Sequence, residues 1–383
     1  MHTGQPELIE WIRERIGRDG PVSFAWFMEQ ALYHPKWGFY SSGRCAIGRG
    51  GDYFTNVSVG PVFGRMLAAQ FAEMWEILGR PERFTIVEQG AHHGDFAADV
   101  LRASEEKQPE FFRTLRYTIV EPFPILQRQQ TEKLAEFASI VSWRENLNAL
   151  EPFTGVHFSN ELLDAMPVHL VRNEASGWQE IFVDEFDDGF QFVARPTENR
   201  ELAKRLMEIP ALSIGYETEV NLAAPAWLER VAGKLVRGYL LAVDYGYARD
   251  DFYTPERTNG TLRCAQGHHA VGSPLVEIGH ADITAHVEWT SVAERGFAHG
   301  LDFAGFADQH HFLSALATGL CVDEFTIADA RTRRMLQTLL HPTMLGRTFQ
   351  FLALSRGVAP GKNLDGFRLA PGGKRALGLR EGL

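Results

Sequence analysis

Short apolar runs alternate with helical spacing through the middle of the chain. The first run, Phe84–Val87, is rich in β-forming residues and ends at Glu88. Gly90 and Gly94 follow, and a helical apolar pattern begins directly after them. Similar apolar runs lie at 115–121, 139–142, 156–159 and 239–243. Strand, glycine turn and helix in this order predict a βαβ opening, and the repeats predict an α/β fold with a Rossmann-like sheet.

The whole pattern divides the chain into four predicted segments, one of which contains this core. Residues 1–80 are predicted to be a helical lead-in with a glycine-rich flap at Gly43–Gly51. Residues 81–246 form the core, 247–340 a second, substrate-binding lobe, and 341–383 return to the sheet. Finer predictions are a β-meander at 168–195, a loop at 210–226, a helix at 226–235 and closing strands at 349–354 and 367–369.

Composition narrows the class of protein. The chain has 383 residues, 45% of them hydrophobic and 23% charged, which is typical of a globular protein. A net charge of −11 argues against a nonspecific grip on nucleic-acid phosphates. Cys45, Cys264 and Cys321 lie far apart, so they predict neither a disulfide framework nor a zinc site. The N-terminal helix is too charged for a signal peptide and no apolar run could span a membrane, so we expect a cytoplasmic protein.

The glycine turn and the acid after the second strand indicate the type of ligand. Glu121 ends the second strand, where a carboxylate commonly accepts both ribose hydroxyls of an adenosine. The turn, Gly90-Ala91-His92-His93-Gly94, has histidine at the middle glycine position and lacks the third glycine of a dinucleotide fingerprint. This weighs against a pyrophosphate on the helix N-terminus and less against S-adenosylmethionine, which has no phosphate. A glycine turn without a ligand is the alternative.

Several longer motifs occur together. They are MEQALYHPKWGFY, GDYFTN with a later FG, VEQGAHHGDFAADVLR, SNELLDAMPVH, VDYGY, GTLRCAQGHHAVGSPLVEIGHADITAHVEW and PTMLGRTFQFLALSRG. With them the chain resembles the MidA-type family of S-adenosylmethionine-dependent methyltransferases over about residues 24–356. The resemblance implies a class I methyltransferase fold, S-adenosylmethionine as cofactor, and a protein arginine as methyl acceptor. Departures from the family pattern lie in the glycine turn, at the Thr55-Asn56-Val57-Ser58 loop (usually T-S-P-E), and at Gln350, usually lysine.

The resemblance assigns site residues, each with a structural alternative. The predicted cofactor-binding residues are Glu88, Gly90, Gly94, Glu121, Asn160 and Thr55. The predicted catalytic residues are Glu161, Asp164 and Asn160.

An arginine methyltransferase needs carboxylates around the charged guanidinium, and residues three apart share a helical face. Glu161 and Asp164 could therefore grip two nitrogens and accept the released proton. The alternative is that Asn160 and Glu161 only cap a helix. For Glu88 the alternative is a solvated strand end, and for Glu121 a helix N-cap. Trp143 could stack on adenine or belong to the core.

The sequence evidence for other kinds of site, a substrate slot and a metal site, is weaker. Asp244 and Tyr245 could line the substrate slot or be structural. Asp282 and His286 are four apart, as are metal pairs on helices, but no third ligand is evident and no metal is predicted.

Our leading hypothesis is a methyltransferase acting on a protein side-chain nitrogen, with no nucleic-acid or membrane partner and with homo-oligomerisation left open. One alternative is a scaffold or assembly factor whose cofactor site is disabled by His92. Another is a nicotinamide-dependent oxidoreductase, which shares the βαβ opening.

Overall fold

The computed structural model describes residues 4–43, 55–210, 212–267, 269–326 and 328–379. Cys45 and, apart from Gly43 itself, the predicted glycine-rich flap lie outside these residues. The chain divides into two compact units. The first comprises Met1–Tyr53, Leu163–Ala226 and Arg249–Glu288, and the second comprises Phe54–Leu162, Trp227–Ala248 and Trp289–Leu383.

Strands and helices are numbered in chain order. The strands are β1 (Val22–Ser23), β2 (Phe84–Gln89), β3 (Leu115–Val120), β4 (Val141–Arg144), β5 (Phe153–Asn160), β6 (His169–Glu174), β7 (Gly177–Phe186), β8 (Gly189–Arg195), β9 (Glu217–Val220), β10 (Leu235–Tyr247), β11 (Arg263–Gln266), β12 (His269–Ala270), β13 (Asp282–Thr284), β14 (Val287–Glu288), β15 (Asp302–Asp308) and β16 (Phe349–Arg356). The α-helices are α1 (Pro6–Asp19), α2 (Phe24–Tyr33), α3 (Val62–Ile77), α4 (Asp95–Lys107), α5 (Pro109–Thr114), α6 (Pro124–Lys133), α7 (Arg200–Leu206), α8 (Ala223–Lys234), α9 (Arg249–Phe252), α10 (Trp289–Ala298), α11 (Gln309–Thr318), α12 (Val322–Thr326) and α13 (Ala330–Leu340).

The second unit contains the predicted sheet. Its strands lie in the order β15-β16-β10-β5-β2-β3-β4. The pairs from β10 to β4 are parallel, whereas β16 runs antiparallel to both β10 and β15. Chain order reverses between β2 and β5, which makes the carboxyl ends of these two strands the topological switch point of a doubly wound sheet. The predicted α/β, Rossmann-like fold class is confirmed.

Burial on both faces explains why the sequence marks these strands as near-continuous apolar runs. The first five residues of β2 and the last four of β3 are buried, and they belong to a sheet covered by helices. Helix α3 contributes a buried face from Val62 to Trp75 to the same core. At Gly64 a Cβ would lie only 2.5 Å from the Cβ of Asp99, so glycine permits the close contact of α3 with α4.

The first unit has its own core and sheets. Strands β1, β7, β6 and β9 form one antiparallel sheet, with β8 paired to β7, and β12, β11 and β13 form a second. Helix α1 buries Leu8, Ile9, Ile12 and Ile16, as its amphipathic pattern predicts. The predicted β-meander at 168–195 is confirmed as β6–β8.

Two predictions of local structure are wrong. Residues 367–369 do not form a strand, because Asp365–Phe367 is a 3₁₀ helix whose Gly366 N–H donates to Gln70 Oε1 on α3. The predicted strand at 349–354 is observed as β16, and the strand beyond it at the edge of the sheet is β15. The predicted loop at 210–226 contains β9, which pairs with β6, and the first turn of α8.

The compact units also differ from the predicted segments. Residues 249–288 belong to the unit that holds the N-terminal helices, and residues 289–340 belong to the unit of the large sheet. Among the described residues, every helix is too short or too polar to cross a bilayer.

Candidate functional site

Most of the predicted site residues of the second unit lie at the carboxyl ends of β2, β3 and β5. In an open α/β sheet, ligands bind at this edge, beside the switch point. Strand β2 ends at Gln89 and β5 at Asn160, and the two strands pair in parallel up to Gln89 and Ser159. Strand β3 ends one residue before Glu121. The topology therefore brings together the turn after β2, the acid after β3 and the dipeptide Asn160-Glu161.

The turn after β2 is built from left-handed residues. Gly90, His92 and Gly94 have φ angles of 82°, 46° and 83°. The Gly94 N–H donates to the Ala91 carbonyl at 2.8 Å, and Gly94 is the N-cap of α4. His92 thus adopts the conformation for which glycine is usual, at a cost of roughly 1–3 kcal/mol. The substitution changes the side chain of the turn without removing its left-handed backbone.

Glu88 is a buried carboxyl rather than a solvated strand end. It is 3% exposed, and its Oε2 accepts the hydroxyl of Tyr117 at 2.7 Å. Burial, with smaller repulsion from Asp95 and Glu121, raises the pKa of Glu88 to about 7, and the bond from Tyr117 opposes this shift. The Glu88 carboxyl therefore changes charge near neutral pH, two residues before Gly90 of the turn.

Glu121 is also buried, and it does not cap α6, whose N-cap residue is Phe123. Its Oε1 accepts the Phe123 N–H at 3.0 Å, and its Oε2 accepts Nε2 of Gln130 at 3.0 Å. Burial raises the pKa of Glu121 to about 7 against these two bonds. Since a carboxylate oxygen can accept two hydrogen bonds, each oxygen retains capacity for one further donor.

Gln130, which the sequence did not single out, connects three parts of the edge. Its side chain is fully buried on α6. Nε2 donates to the His92 carbonyl at 2.7 Å as well as to Glu121, and Oε1 accepts the indole N–H of Trp143 at 2.9 Å. The one signal in the sequence is a polar residue on the side of α6 that also carries Leu126.

The end of β5 carries a chain of amide hydrogen bonds. Asn56 Nδ2 donates to Asn160 Oδ1 at 3.2 Å, and Asn160 Nδ2 donates to Glu161 Oε1 at 2.7 Å. Asn56 is fully buried, and its Oδ1 has no hydrogen-bond partner among the described residues. The bonds orient the Glu161 carboxylate at one end of this hydrogen-bonded series and leave Asn56 Oδ1 as a buried acceptor at the other end. The sequence showed Asn56 only as a departure from the family loop.

The predicted helix after β5 is absent, so the shared helical face of Glu161 and Asp164 is wrong. Glu161 is left-handed, with φ 52°, and the next N–H, of Leu162, donates to Asp244 Oδ2 at 3.1 Å. Asp164 lies in a turn of the first unit, where its carbonyl accepts the Ala285 N–H at 2.9 Å. Asn160 therefore does not cap a helix either. The catalytic roles of these residues stay predictions.

Other candidate residues make structural contacts. Asp244 is fully buried and accepts the N–H groups of Leu162 and Tyr245. Tyr245 packs against Phe349, with ring centroids 4.0 Å apart. Thr55 is buried, and its hydroxyl accepts the N–H of Ser58 at 3.1 Å.

Asp282 and His286 are not a helical pair. Asp282 begins β13 and accepts the hydroxyl of Tyr40 at 2.6 Å, whereas His286 follows that strand. Burial lowers the pKa of His286 to about 4. Within the described part of the chain, no group of three or more His, Cys, Asp or Glu could hold a metal ion.

A family model described as "Putative S-adenosyl-L-methionine-dependent methyltransferase" matches residues 66–307, more than half of the chain. The chain belongs to this family. The resemblance inferred from its motifs is thereby confirmed, and the cofactor of the family is S-adenosylmethionine, as predicted.

Individual relatives of this methyltransferase cover nearly its full length. A protein from Burkholderia thailandensis, solved with S-adenosyl-homocysteine bound, is 34% identical, covers 95% of both chains and has a TM-score of 0.86. The Drosophila melanogaster "Protein arginine methyltransferase NDUFAF7 homolog, mitochondrial" is 27% identical over 93% of this chain and 86% of its own. The Homo sapiens "Protein arginine methyltransferase NDUFAF7, mitochondrial" is 23% identical over 94% and 85%.

The residues of the second unit fit the cofactor of this family. The turn keeps its three left-handed positions, and Glu121 can accept a donor at each oxygen. The buried Asn56 Oδ1 is a further acceptor at the same edge, which suits an ammonium or a hydroxyl. The family assignment sets the nicotinamide alternative aside. The cytoplasmic location, the oligomeric state and the absence of a nucleic-acid partner stay predictions.

Proposed function

We propose that this methyltransferase transfers a methyl group to a side-chain nitrogen of a protein, with arginine as the favoured acceptor. The observation that carries the proposal is the carboxylate of Glu161, held by the Asn56–Asn160 bonds at the end of β5. Relatives named protein arginine methyltransferases support the choice of arginine. A guanidinium stays protonated in water, so its recognition requires an oriented carboxylate.

We assign the adenosine to the carboxyl ends of β2 and β3. Glu121 would accept the two ribose hydroxyls, one at each carboxylate oxygen, and Trp143 would pack against the adenine. Gly90 and Gly94 would let the backbone of the turn approach the methionine portion of the cofactor, and Glu88 would lie just before this turn at the end of β2. Thr55 would act indirectly, because its hydroxyl holds the turn that places Asn56.

When bound, S-adenosylmethionine supplies a methyl group on a positively charged sulfur. The acceptor nitrogen forms the new N–C bond as the S–C bond breaks, and the nitrogen then loses one proton. Glu161 would orient the guanidinium through charge-assisted hydrogen bonds and accept that proton directly or through water. Asn160 Nδ2 would keep the carboxylate turned towards the acceptor. The role of Asp164 stays a separate prediction.

The scaffold alternative rested on His92. Because His92 reaches the left-handed conformation and its carbonyl is bonded to Gln130, the turn does not by itself disable the site.

The test combines binding with methyl transfer. Calorimetry with S-adenosyl-homocysteine measures the cofactor site, and transfer of labelled methyl from S-adenosylmethionine is measured on peptide libraries with a fixed central arginine, lysine or glutamine. We expect micromolar binding and label on the arginine library. We expect Glu161→Gln to lower kcat about 100-fold or more with little change in S-adenosyl-homocysteine affinity, since its carboxylate acts on the acceptor.

Glu151→Gln is the matched control, because Glu151 is exposed just before the other end of β5. Its kcat should equal that of the wild type. Binding without transfer to any library would favour the scaffold alternative, and transfer to lysine or glutamine alone would overturn the choice of arginine. An unchanged kcat in Glu161→Gln would overturn the role of that carboxylate.

A further inference from the structure

Gln130 uses each polar group of its side chain. The indole nitrogen of Trp143 can only donate, so the atom of Gln130 that it meets must be the carbonyl Oε1. The amide NH₂ then faces two acceptors, the His92 carbonyl and Glu121 Oε2. Full burial excludes water from exchanging with these bonds. One amide therefore has a single orientation that satisfies all three partners.

Each of these partners belongs to a different part of the adenosine-binding edge. His92 is the one non-glycine residue with a positive φ in the turn after β2, Glu121 follows β3, and Trp143 lies on β4. The strands they follow or lie on are neighbours in the sheet, and α6 adds Gln130, whose side chain bonds to all three partners. The bond to Oε2 and the Phe123 N–H on Oε1 hold the carboxylate at both oxygens and fix its plane.

We propose that Gln130 is a positioning residue for adenosine recognition. It holds the Glu121 carboxylate in the orientation that accepts the ribose diol, and it ties that carboxylate to the turn in which histidine stands at a glycine position. The inference rests on the proposed function, because it takes Glu121 as the ribose ligand. Gln130 itself touches no ligand in this scheme, and its effect on binding passes through Glu121.

The test compares S-adenosyl-homocysteine with its 2′-deoxy analogue by calorimetry. The wild type should prefer the compound with the intact diol about 10- to 100-fold, the value of one hydrogen bond to a charged group. Gln130→Leu replaces the amide with an apolar side chain of similar size, and so removes both donations and the acceptor of the Trp143 N–H. We expect the preference to fall to about threefold or less, with weaker binding of S-adenosyl-homocysteine.

Gln127→Leu is the matched control on the same helix. Its Nε2 donates to the main-chain carbonyl of Glu121 at 2.6 Å rather than to the carboxylate, so the diol preference should persist. Gln130→Met and Trp143→Phe provide further variants should Gln130→Leu not fold. Trp143→Phe removes the donor that orients the amide and should lower the preference by a smaller factor.

The ratio of the two affinities separates positioning from a merely structural role. A Gln130 variant that melts earlier but keeps the full diol preference would overturn the inference while leaving the proposed function intact. A wild type that binds S-adenosyl-homocysteine without any diol preference would also overturn it. A folded wild type that binds neither compound would overturn the proposed function together with the inference.

Discussion

Replacing Glu88 with glutamine should stabilise the protein at alkaline pH and have little effect at acidic pH. The side chain is 3% exposed, and burial is the largest cause of its raised pKa. Glutamine has the same shape and keeps an acceptor for the Tyr117 hydroxyl, which lies 2.7 Å from the carboxylate. The substitution therefore removes mainly the cost of ionising a buried carboxyl.

The magnitude follows from the pKa of Glu88, which is raised from 4.5 to about 7. An acid with a raised folded-state pKa destabilises the folded state above that pKa and has no effect below the unfolded-state value. At pH 8 the penalty is about 3 kcal/mol, from roughly 2.5 pH units at 1.36 kcal/mol each. At pH 5 the same linkage gives below about 1 kcal/mol. The gain of Glu88→Gln should thus appear between these two pH values.

The assay is urea unfolding of wild type and Glu88→Gln at pH 5 and pH 8. Glu82→Gln is the control, because Glu82 is exposed just before the same strand. A gain of equal size at both pH values would refute the reasoning, as would a loss of stability at pH 8. If Glu88 supports cofactor binding, the stabilised variant should also bind S-adenosyl-homocysteine more weakly, which the same samples can show.

Two further predictions concern buried titratable groups. Burial raises the pKa of Glu121 to about 7, so the affinity for S-adenosyl-homocysteine should rise up to about tenfold from pH 6 to pH 8 as the carboxylate ionises. The Glu121→Gln variant should bind weakly, with an affinity that does not change with pH. Calorimetry at both pH values checks this, and a wild-type affinity that falls from pH 6 to pH 8 would contradict it. His157 is fully buried on β5, neither ring nitrogen has a partner among the described residues, and burial lowers its pKa to about 3. His157→Leu should therefore stabilise the protein by about 1 kcal/mol, offset in part by the lost edge contact with Trp227; a large loss in the urea midpoint would show that the imidazole has an acceptor or donor that stabilises it.

Most strands of the sheet could be predicted because their burial on both faces leaves a continuous apolar signal. Strand β15 was missed, because only three of its seven residues are buried and the segment was assigned to a second lobe. Phe84–Gln89 and Leu115–Val120 agree with the predicted runs within one residue. The acids at the strand ends and the glycine turn were visible for the same reason, since each directly follows such a run. The order of the strands could not be predicted, because it depends on β16 pairing between β10 and β15.

The missed features depend on residues far apart in the chain. The backbone after β5 leaves the helical region because Asp244, 82 residues away, accepts the Leu162 N–H. Asn56 acts on Asn160 across 104 residues, and Gln130 reaches the turn across 38. A single sequence records the residue types at these positions but not which of them meet.

The place of β16 in the sheet has a consequence for biosynthesis. Strand β15 leaves the ribosome earlier than its neighbour in the sheet, β16, which is the last strand in the part of the chain that the structure describes. Until then the edges of β10 and β15 that β16 will cover have no partner, and unpaired edges invite pairing with other chains. A nascent or truncated chain ending before Phe349 would thus be a target for chaperones and proteases, so its loss from the cell would be governed by quality control rather than by catalytic failure.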